Sequence, residues 1–330
     1  MDSLRLIILI ILLMFIIDII LYTSCNYNFN KIYYPKLYQA VYEPIKNPVQ
    51  LRASIICLCR DISNKFKKSL IKINNLASRF KDYRIVIVEN DSKDNSRKLL
   101  CDWATENKKT ILLKCDENVK CSRDCITGAK GAYKSKHTNR ITRMAEYRNK
   151  ALKYIKNNKS FKTDVVIVYD FDLEGNINMN EFDNILNEFD NWDAVFANGR
   201  MAIPPFDSGT MCYDGLAFRE NWGVSRGIMK RIFRMNYLVD RSKNKYIPVA
   251  SAFNGLGVYK YKSIKDSEYS AFTDPYNCEH VGLHYNMYIN GYNKLFINKK
   301  FTVYTGKQGP SNKWRTIIKS IKNPEGSGVS

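Results

Sequence analysis

The amino-acid sequence predicts an α/β protein with a mainly parallel, twisted sheet, flanked by helices and preceded by one N-terminal transmembrane helix. Two patterns carry this prediction: a long apolar run opens the chain, and shorter apolar runs then alternate with segments of helical periodicity. The 330 residues are 45% hydrophobic and 13% aromatic, which excludes a disordered chain and suits one large domain. The formal net charge of +20 is scattered without a nucleic-acid-binding motif, so we expect no nucleic-acid partner.

The first element is the apolar run Leu6–Tyr22, which is 17 residues long and is interrupted only by Asp18. This length is the lower limit for a helix that spans a hydrocarbon core of about 30 Å, and a buried soluble helix is the alternative. No small-residue cleavage pattern follows, so we predict a signal anchor rather than a cleaved signal peptide. Arg5 in the short tail (1–5) predicts a type II single-pass membrane protein whose bulk lies in the ER or Golgi lumen.

The next segment, 23–50, contains three prolines and no regular pattern, which predicts a stem or linker. Beyond it, apolar runs predict strands at Ser54–Cys59, Ile85–Val88, Ile111–Leu113, Asp164–Tyr169 and Ala194–Ala197. Apolar residues at helical spacing predict helices at Phe66–Phe80, around Leu99–Trp103, at Thr138–Asn157 and at Phe182–Phe189.

The basic segment 114–139 lacks apolar periodicity, so we predict a loop there. Its cysteines, Cys115, Cys121 and Cys125, have no His at ligand spacing, which favours a disulfide or free thiols over a metal site. The nine cysteines of the whole chain are too sparse for a disulfide scaffold.

Ligands of a parallel α/β sheet bind beyond the carboxyl ends of the strands, so the residues that follow each strand are candidates for chemistry. Asp170 and Asp172 follow the run VVIVY and lie two residues apart, so they point to the same side of an extended segment. Two converging carboxylates repel each other unless a hard cation such as Mg²⁺ or Mn²⁺ lies between them. A solvated, Asp-rich turn is the alternative interpretation.

Arg148 falls on the apolar stripe of the preceding helix, four residues from both Met144 and Leu152. A guanidinium on an inward face needs an anionic partner, because a buried unpaired charge is very costly. Two partners of Arg148 are left open: an Asp in a salt bridge, and a diphosphate or a sugar of the ligand. The neighbouring Asn149 is placed to cap either partner.

The segments VENDSKDNS, RMAEYRNKAL and VVIVYDFDLEG, in this order, resemble the GT-A glycosyltransferases, especially the family 2 enzymes and the fungal Anp1-type mannosyltransferases. The resemblance covers residues 54–304 and implies a GT-A (Rossmann-like) fold that moves a hexose from a nucleotide-diphosphate sugar to a glycan or glycoprotein acceptor. It implies a D-x-D site for Mn²⁺ or Mg²⁺ and an N-terminal membrane anchor. Residues 51–200 would be the nucleotide-sugar-binding half, and residues 201–330 the acceptor-binding half with a C-terminal tail.

Carried onto this sequence, the resemblance implies a donor site and its metal ligands. The implied donor-binding residues are Arg60, Glu89, Asn90, Asp91, Ser92, Arg148, Asn149, Asp170 and Asp172. Asp170 and Asp172 would bind the metal. The predicted strand Lys294–Tyr304 contains no His, so the third protein ligand of the metal is not identified.

The second half is expected to contribute the acceptor side. Asn254 and Gly255 lie in Ser251–Tyr259, which resembles the turn that approaches the donor sugar, although a strand with a Gly bulge is the alternative. Asp214 and Trp222 offer a carboxylate and a surface for sugar stacking, or else belong to a packed loop.

Glu279 and His280 head a predicted helix, where the resemblance implies that Glu279 is the general base of an inverting enzyme; His280 is the alternative catalytic residue if Glu279 is not the base. An exposed Glu favoured by the helix dipole is the alternative. His280 and His284 share a helix face, but no third zinc ligand is visible.

Two other classes remain open, a nucleotidyltransferase on a related fold and a noncatalytic carbohydrate-binding relative. A nucleotidyltransferase usually has a Gly-rich phosphate loop after its first strand, where this chain reads RDISNKFKK. A noncatalytic relative would bind sugar without metal-dependent turnover.

Overall fold

The computed structural model describes residues 48–90, 92–114, 133–202, 210–223, 227–271 and 278–305. The predicted tail, the predicted anchor and nearly all of the predicted stem lie outside these residues, as do Asp91 and the cysteines at 115, 121 and 125. Within the described ranges, the search for a helix long and apolar enough to cross a membrane found none.

The described residues form nine strands and seven α-helices. The strands are β1 (Val49–Cys59), β2 (Phe80–Glu89), β3 (Thr110–Lys114), β4 (Val165–Asp170), β5 (Ala194–Ala202), β6 (Thr210–Cys212), β7 (Tyr246–Pro248), β8 (Leu256–Lys260) and β9 (Leu295–Tyr304). The helices are α1 (Phe66–Ala77), α2 (Ser96–Glu106), α3 (Tyr133–Asn157), α4 (Met179–Asn187), α5 (Ile228–Arg241), α6 (Tyr261–Ile264) and α7 (Glu279–Ile289).

All nine strands belong to one sheet, in the order β3-β2-β1-β4-β8-β5-β9-β7, with β6 paired to β5. The first four strands are parallel, as predicted, and β5 pairs in parallel with β9. The four remaining pairings, β4–β8, β5–β8, β5–β6 and β7–β9, are antiparallel. The α/β class with a central sheet is therefore confirmed, but the sheet is mixed rather than mainly parallel. A fully buried strand reads as one apolar run whatever the direction of its neighbours, so the sequence did not reveal this.

The sheet has a hydrophobic core on each face, because successive residues of its buried strands point to opposite sides. One core contains side chains from α1, α2 and α4, including Ile73, Trp103 and Phe182. The other contains side chains from α3, α5 and α7. This arrangement confirms that helices flank the sheet on both faces.

Three predicted helices have wrong boundaries. The helix predicted at Phe182–Phe189 is α4, which ends at Asn187 and leaves Phe189 in a short 3-10 turn. Phe80 was assigned to the first helix, but α1 ends at Ala77 and Phe80 is the first residue of β2. Phe80 is buried in the same core as the apolar residues of α1. Its spacing from them matched a helix by coincidence, although it belongs to the next strand. Helix α3 begins at Tyr133, within the segment predicted as a loop. The sequence did not show this start because the first turns of the helix carry few apolar residues.

Candidate active site

A cleft of about 280 Å³ opens at the carboxyl ends of β1, β2 and β4. These strands are parallel neighbours, so their ends meet at one edge of the sheet, where ligands of such folds bind. The lining combines two carboxylates, three guanidinium groups, two tyrosines and several apolar side chains: Leu58, Cys59, Arg60, Ile62, Asn90, Arg140, Arg143, Met144, Tyr147, Asp170, Asp172 and Tyr213.

The two predicted metal ligands both line this cleft. Asp170 is the last residue of β4, and Asp172 follows in the exposed loop. Burial above all, together with the negative charges of Asp172, Asp214 and Glu279, raises the pKa of Asp170 to about 7 against the opposing effect of Arg148. The carboxylates therefore repel each other, as the sequence predicted for this spacing.

Arg148 connects the end of β4 to the start of α7. The side chain is 2% exposed; its Nε donates to Glu279 Oε1 at 2.9 Å, and its Nη2 lies 3.4 Å from Asp170 Oδ1. Although burial lowers it, the carboxylates of Glu279 and Asp170 hold the pKa of Arg148 above its ordinary value. The structure thus contains a salt bridge to an Asp, which was one of the two open alternatives, and adds a second one to Glu279.

Glu279 and His280 are both buried at the start of α7, so Glu279 is not the exposed helix-end residue of the alternative interpretation. The His280 ring stacks on Phe253 with 3.7 Å between ring centroids, and its Nε2 lies 3.7 Å from Glu279 Oε1. Burial, and then the charge of Arg148, lower the pKa of His280 well below its ordinary value, so the imidazole is neutral at pH 7. Neither residue belongs to the cleft lining.

Both ring nitrogens of His284 bind side chains of the core. Its Nδ1 pairs with Ser251 Oγ at 2.8 Å and its Nε2 with Tyr259 OH at 3.0 Å, so both ring nitrogens are engaged. Burial lowers the pKa of His284 to about 3. The search for three metal-ligating side chains in one group found none among the described residues.

Asn254 and Gly255 form a tight turn against the end of β4. Both have positive φ, 58° and 86°, and the Asp170 amide donates to the Gly255 carbonyl at 2.9 Å. A Cβ on Gly255 would lie 2.8 Å from Leu173 Cδ2, so a larger residue would press on the loop that contains Asp172. The turn therefore fixes the position where β4 ends.

The predicted nucleotide-binding residues divide into two groups. Arg60 and Asn90 line the cleft, and the buried Arg60 Nε and Asn90 Oδ1 have no hydrogen-bond partner among the described residues. Glu89 is instead fully buried; it accepts from the Ser92 amide at 2.8 Å and from Arg97 Nε at 2.6 Å. Glu89 and Ser92 thus brace the loop that presents Asn90.

Asn149 pairs through its side-chain amide with both backbone groups of Tyr269, each at 2.8 Å. Tyr269 in turn contacts the Arg148 guanidinium, with 5.9 Å from Cζ to the ring centroid. Asn149 therefore holds a neighbour of Arg148 and is absent from the cleft lining.

The predicted acceptor residues Asp214 and Trp222 lie in the loop between β6 and α5. Asp214 Oδ1 accepts from the Ala217 amide at 3.1 Å, and burial raises its pKa. Trp222 packs against Tyr285 and Tyr288 of α7, with ring centroids 5.3 and 5.9 Å apart. Trp222 therefore belongs to a surface cluster of aromatic rings.

Sequence reasoning missed Arg140, Arg143, Tyr147 and Tyr213, all of which line the cleft. The first three lie on α3 at helical spacing, on the same face as Met144. That spacing was readable, but Arg140 fell at the boundary of a segment predicted as a loop.

The donor set suits a hard divalent cation. Asp170 and Asp172 both line the cleft, the charge of Asp172 helps to raise the pKa of Asp170, and oxygen ligands are those that Mg²⁺ and Mn²⁺ prefer.

A mixed α/β sheet with arginines and two carboxylates at the carboxyl ends of its parallel strands is the arrangement in which α/β proteins bind ligands. The chain belongs to the family described as Cryptococcal mannosyltransferase 1, whose model matches residues 53–284. A comparison with curated proteins found no match.

Several solved structures resemble the fold. TarS residues 1–349 from S. aureus, in complex with UDP-GlcNAc, is 14% identical, with 79% of this chain and 60% of that chain covered and a TM-score of 0.44. The mannosyltransferase PcManGT from Pyrobaculum calidifontis, in complex with GDP-Man and Mn²⁺, is 14% identical, with 94% and 76% covered and a TM-score of 0.48. GalNAc-T7 with UDP, GalNAc and Mn²⁺ is 13% identical, with 84% and 48% covered and a TM-score of 0.45. The chain thus spans about 60% of the length of the TarS fragment.

Proposed function

We propose that this protein is a metal-dependent glycosyltransferase that moves a mannosyl group from a nucleoside-diphosphate sugar to a glycan or glycoprotein acceptor. The observation that carries the proposal is the cleft in which Asp170 and Asp172 lie together with three arginines. Membership of a mannosyltransferase family supports the choice of mannose as the transferred hexose.

The donor is assigned from the charges of the cleft. Arg140 and Arg143 of α3 offer guanidinium groups to a diphosphate, which planar donors bind well. Arg60 and Asn90, at the ends of β1 and β2, offer to the nucleoside polar atoms that make no hydrogen bond among the described residues, although Arg60 Nε lies 3.6 Å from Asp61 Oδ2. Asp170 and Asp172 would hold Mn²⁺ or Mg²⁺, which neutralises the departing diphosphate when bound.

Transfer breaks the bond between the anomeric carbon and the diphosphate and forms a bond from that carbon to an acceptor oxygen. The acceptor hydroxyl loses its proton to a carboxylate, for which Glu279 is our candidate in an inverting reaction. Arg148 fixes the orientation of Glu279 through the bond from its Nε. Asp214 is a second candidate, because burial raises its pKa towards the range that suits a base at neutral pH.

A donor-hydrolysis screen tests the proposal. The purified chain is incubated with GDP-mannose, UDP-sugars and CMP-sugars, with Mn²⁺ or with EDTA, and nucleotide release is measured. We expect release of a nucleoside diphosphate that requires the metal and is lost in Asp172→Ala. Asp190→Ala, which removes an exposed carboxylate elsewhere, is the matched control. Absence of release from all donors, or equal release in EDTA, would contradict the proposal.

We also propose that residues 6–22 anchor the protein with the cleft in the secretory lumen, on the basis of the apolar run and Arg5. Protease protection in sealed microsomes tests this topology. Digestion of the C-terminal part without detergent would overturn it.

A further inference from the structure

Helix α1 contacts the backbone of the loop that follows β4. Three consecutive carbonyls of this loop each accept a hydrogen bond from a side chain of α1 or its N-cap residue. Ser69 Oγ donates to the Phe171 carbonyl, and Lys72 Nζ donates to the Leu173 carbonyl. Lys65 Nζ lies 3.4 Å from the carbonyl of Asp172.

The three donors share one helix face, since positions 65, 69 and 72 are spaced by four and three residues. Ser69 is fully buried and Lys72 is 2% exposed, although both are polar. Burying an ammonium group is costly, and an apolar side chain of similar length would avoid that cost. The hydrogen bond to the Leu173 carbonyl offsets part of this cost for Lys72.

The loop needs this support because the sheet does not hold Asp172. Strand β4 ends at Asp170, whose amide is bound by the Gly255 carbonyl. Asp172 lies two residues beyond the strand with an exposed side chain. The bond from Ser69 holds the peptide group that precedes Asp172, and the bond from Lys72 holds the carbonyl of the residue that follows it.

We infer that Ser69 and Lys72 are positioning residues, which preset the loop so that Asp170 and Asp172 converge on one divalent cation. This inference rests on the proposed metal-dependent function. Residues that orient metal ligands typically change metal affinity by 10–100-fold when they are replaced. The same loss is expected here, because an unsupported loop must be ordered when the cation binds.

The test compares Lys72→Met and Ser69→Ala with Lys67→Met in the full chain. Lys67 is an exposed lysine on the same helix, so its replacement removes one positive charge without touching the loop. Mn²⁺ binding is measured by electron paramagnetic resonance in the presence of GDP and, separately, of UDP. Urea unfolding of each variant is measured in parallel.

We expect Lys72→Met and Ser69→Ala to weaken Mn²⁺ binding by about 10-fold or more, while Lys67→Met binds like the wild type. The urea midpoint of Lys72→Met should stay near that of the wild type, because methionine removes a buried charge. Wild-type Mn²⁺ affinity in both loop variants would overturn the inference alone. A wild-type chain that binds no Mn²⁺ with either nucleotide would overturn the proposed function as well.

Discussion

Replacement of Arg148 by methionine tests the ion-pair cluster at the centre of the site. Methionine keeps much of the aliphatic length but leaves Glu279 and Asp170 without their shared cation, which contacts them at 2.9 and 3.4 Å. Removing one partner of a buried pair costs about 3–5 kcal/mol. We therefore expect Arg148→Met to lower the free energy of unfolding by that amount at pH 8. Arg148→Lys retains the charge but loses the planar geometry that reaches both carboxylates, so a loss of about 1.5–3 kcal/mol is expected.

The stability deficit of Arg148→Met is expected to depend on pH. Asp170 has a pKa raised to about 7 even beside Arg148, and loss of that cation raises it further. In Arg148→Met, Asp170 of the folded state is protonated at a higher pH than in the unfolded chain, where its pKa is about 3.9. Protonation therefore stabilises the folded variant as the pH falls towards 5. The stability deficit of Arg148→Met should therefore shrink as the pH falls from 8 to 5.

The assay is urea unfolding followed by tryptophan fluorescence at pH 8 and pH 5, for the wild type and both variants. Arg148→Met combined with Glu279→Gln should recover part of the loss, because it removes one of the uncompensated charges. A deficit of Arg148→Met below about 1 kcal/mol at pH 8, or one that is equal at both pH values, would refute this reasoning.

Three further predictions follow from the same neighbourhood. Glu279→Gln should leave donor affinity near the wild-type value while transfer falls about 10²–10⁴-fold, and undiminished transfer in a kinetic assay would exclude Glu279 as the base. Gly255→Ala should cost about 1–3 kcal/mol in urea unfolding, because φ is 86° and the new Cβ meets Leu173; a wild-type midpoint would contradict this. His284 has a folded pKa of about 3, below its unfolded value, so its contribution to stability is present above pH 6.5 and lost as the pH falls. His284→Gln should therefore reduce the slope of stability against pH by about 1.4 kcal/mol per pH unit between pH 6 and 4, and an unchanged slope would argue against a neutral, buried imidazole.

Much of the site could be predicted because strand ends carry a local signal. Asp170 and Asp172 follow a buried strand directly, and parallel neighbours bring Arg60 and Asn90 to the same edge. Their predicted roles in donor and metal binding stay predictions. The direction of β8 was not predictable in the same way, since its apolar residues read alike in either orientation.

Partners that are distant in the chain could not be predicted from the sequence, because only folding brings them together. Arg148 was expected to need an anion, but only the folded chain brings Glu279, 131 residues away, within reach of its Nε. Glu89 was expected near the ligand, yet it binds Arg97, because a carboxylate at a strand end can point along the edge as well as into the cleft. Likewise, the face of α1 that contacts the loop after β4 is visible only once the helix is packed.

The most direct test of the central claim is a calorimetric titration of the purified chain with GDP-mannose, with and without Mn²⁺, repeated with a UDP-sugar. We expect binding of a nucleoside-diphosphate sugar that requires the metal, is lost in Asp172→Ala and is unaffected in Asp190→Ala. Binding of equal affinity in EDTA, or wild-type affinity in Asp172→Ala with Mn²⁺ present, would contradict the assignment of Asp170 and Asp172 to the metal.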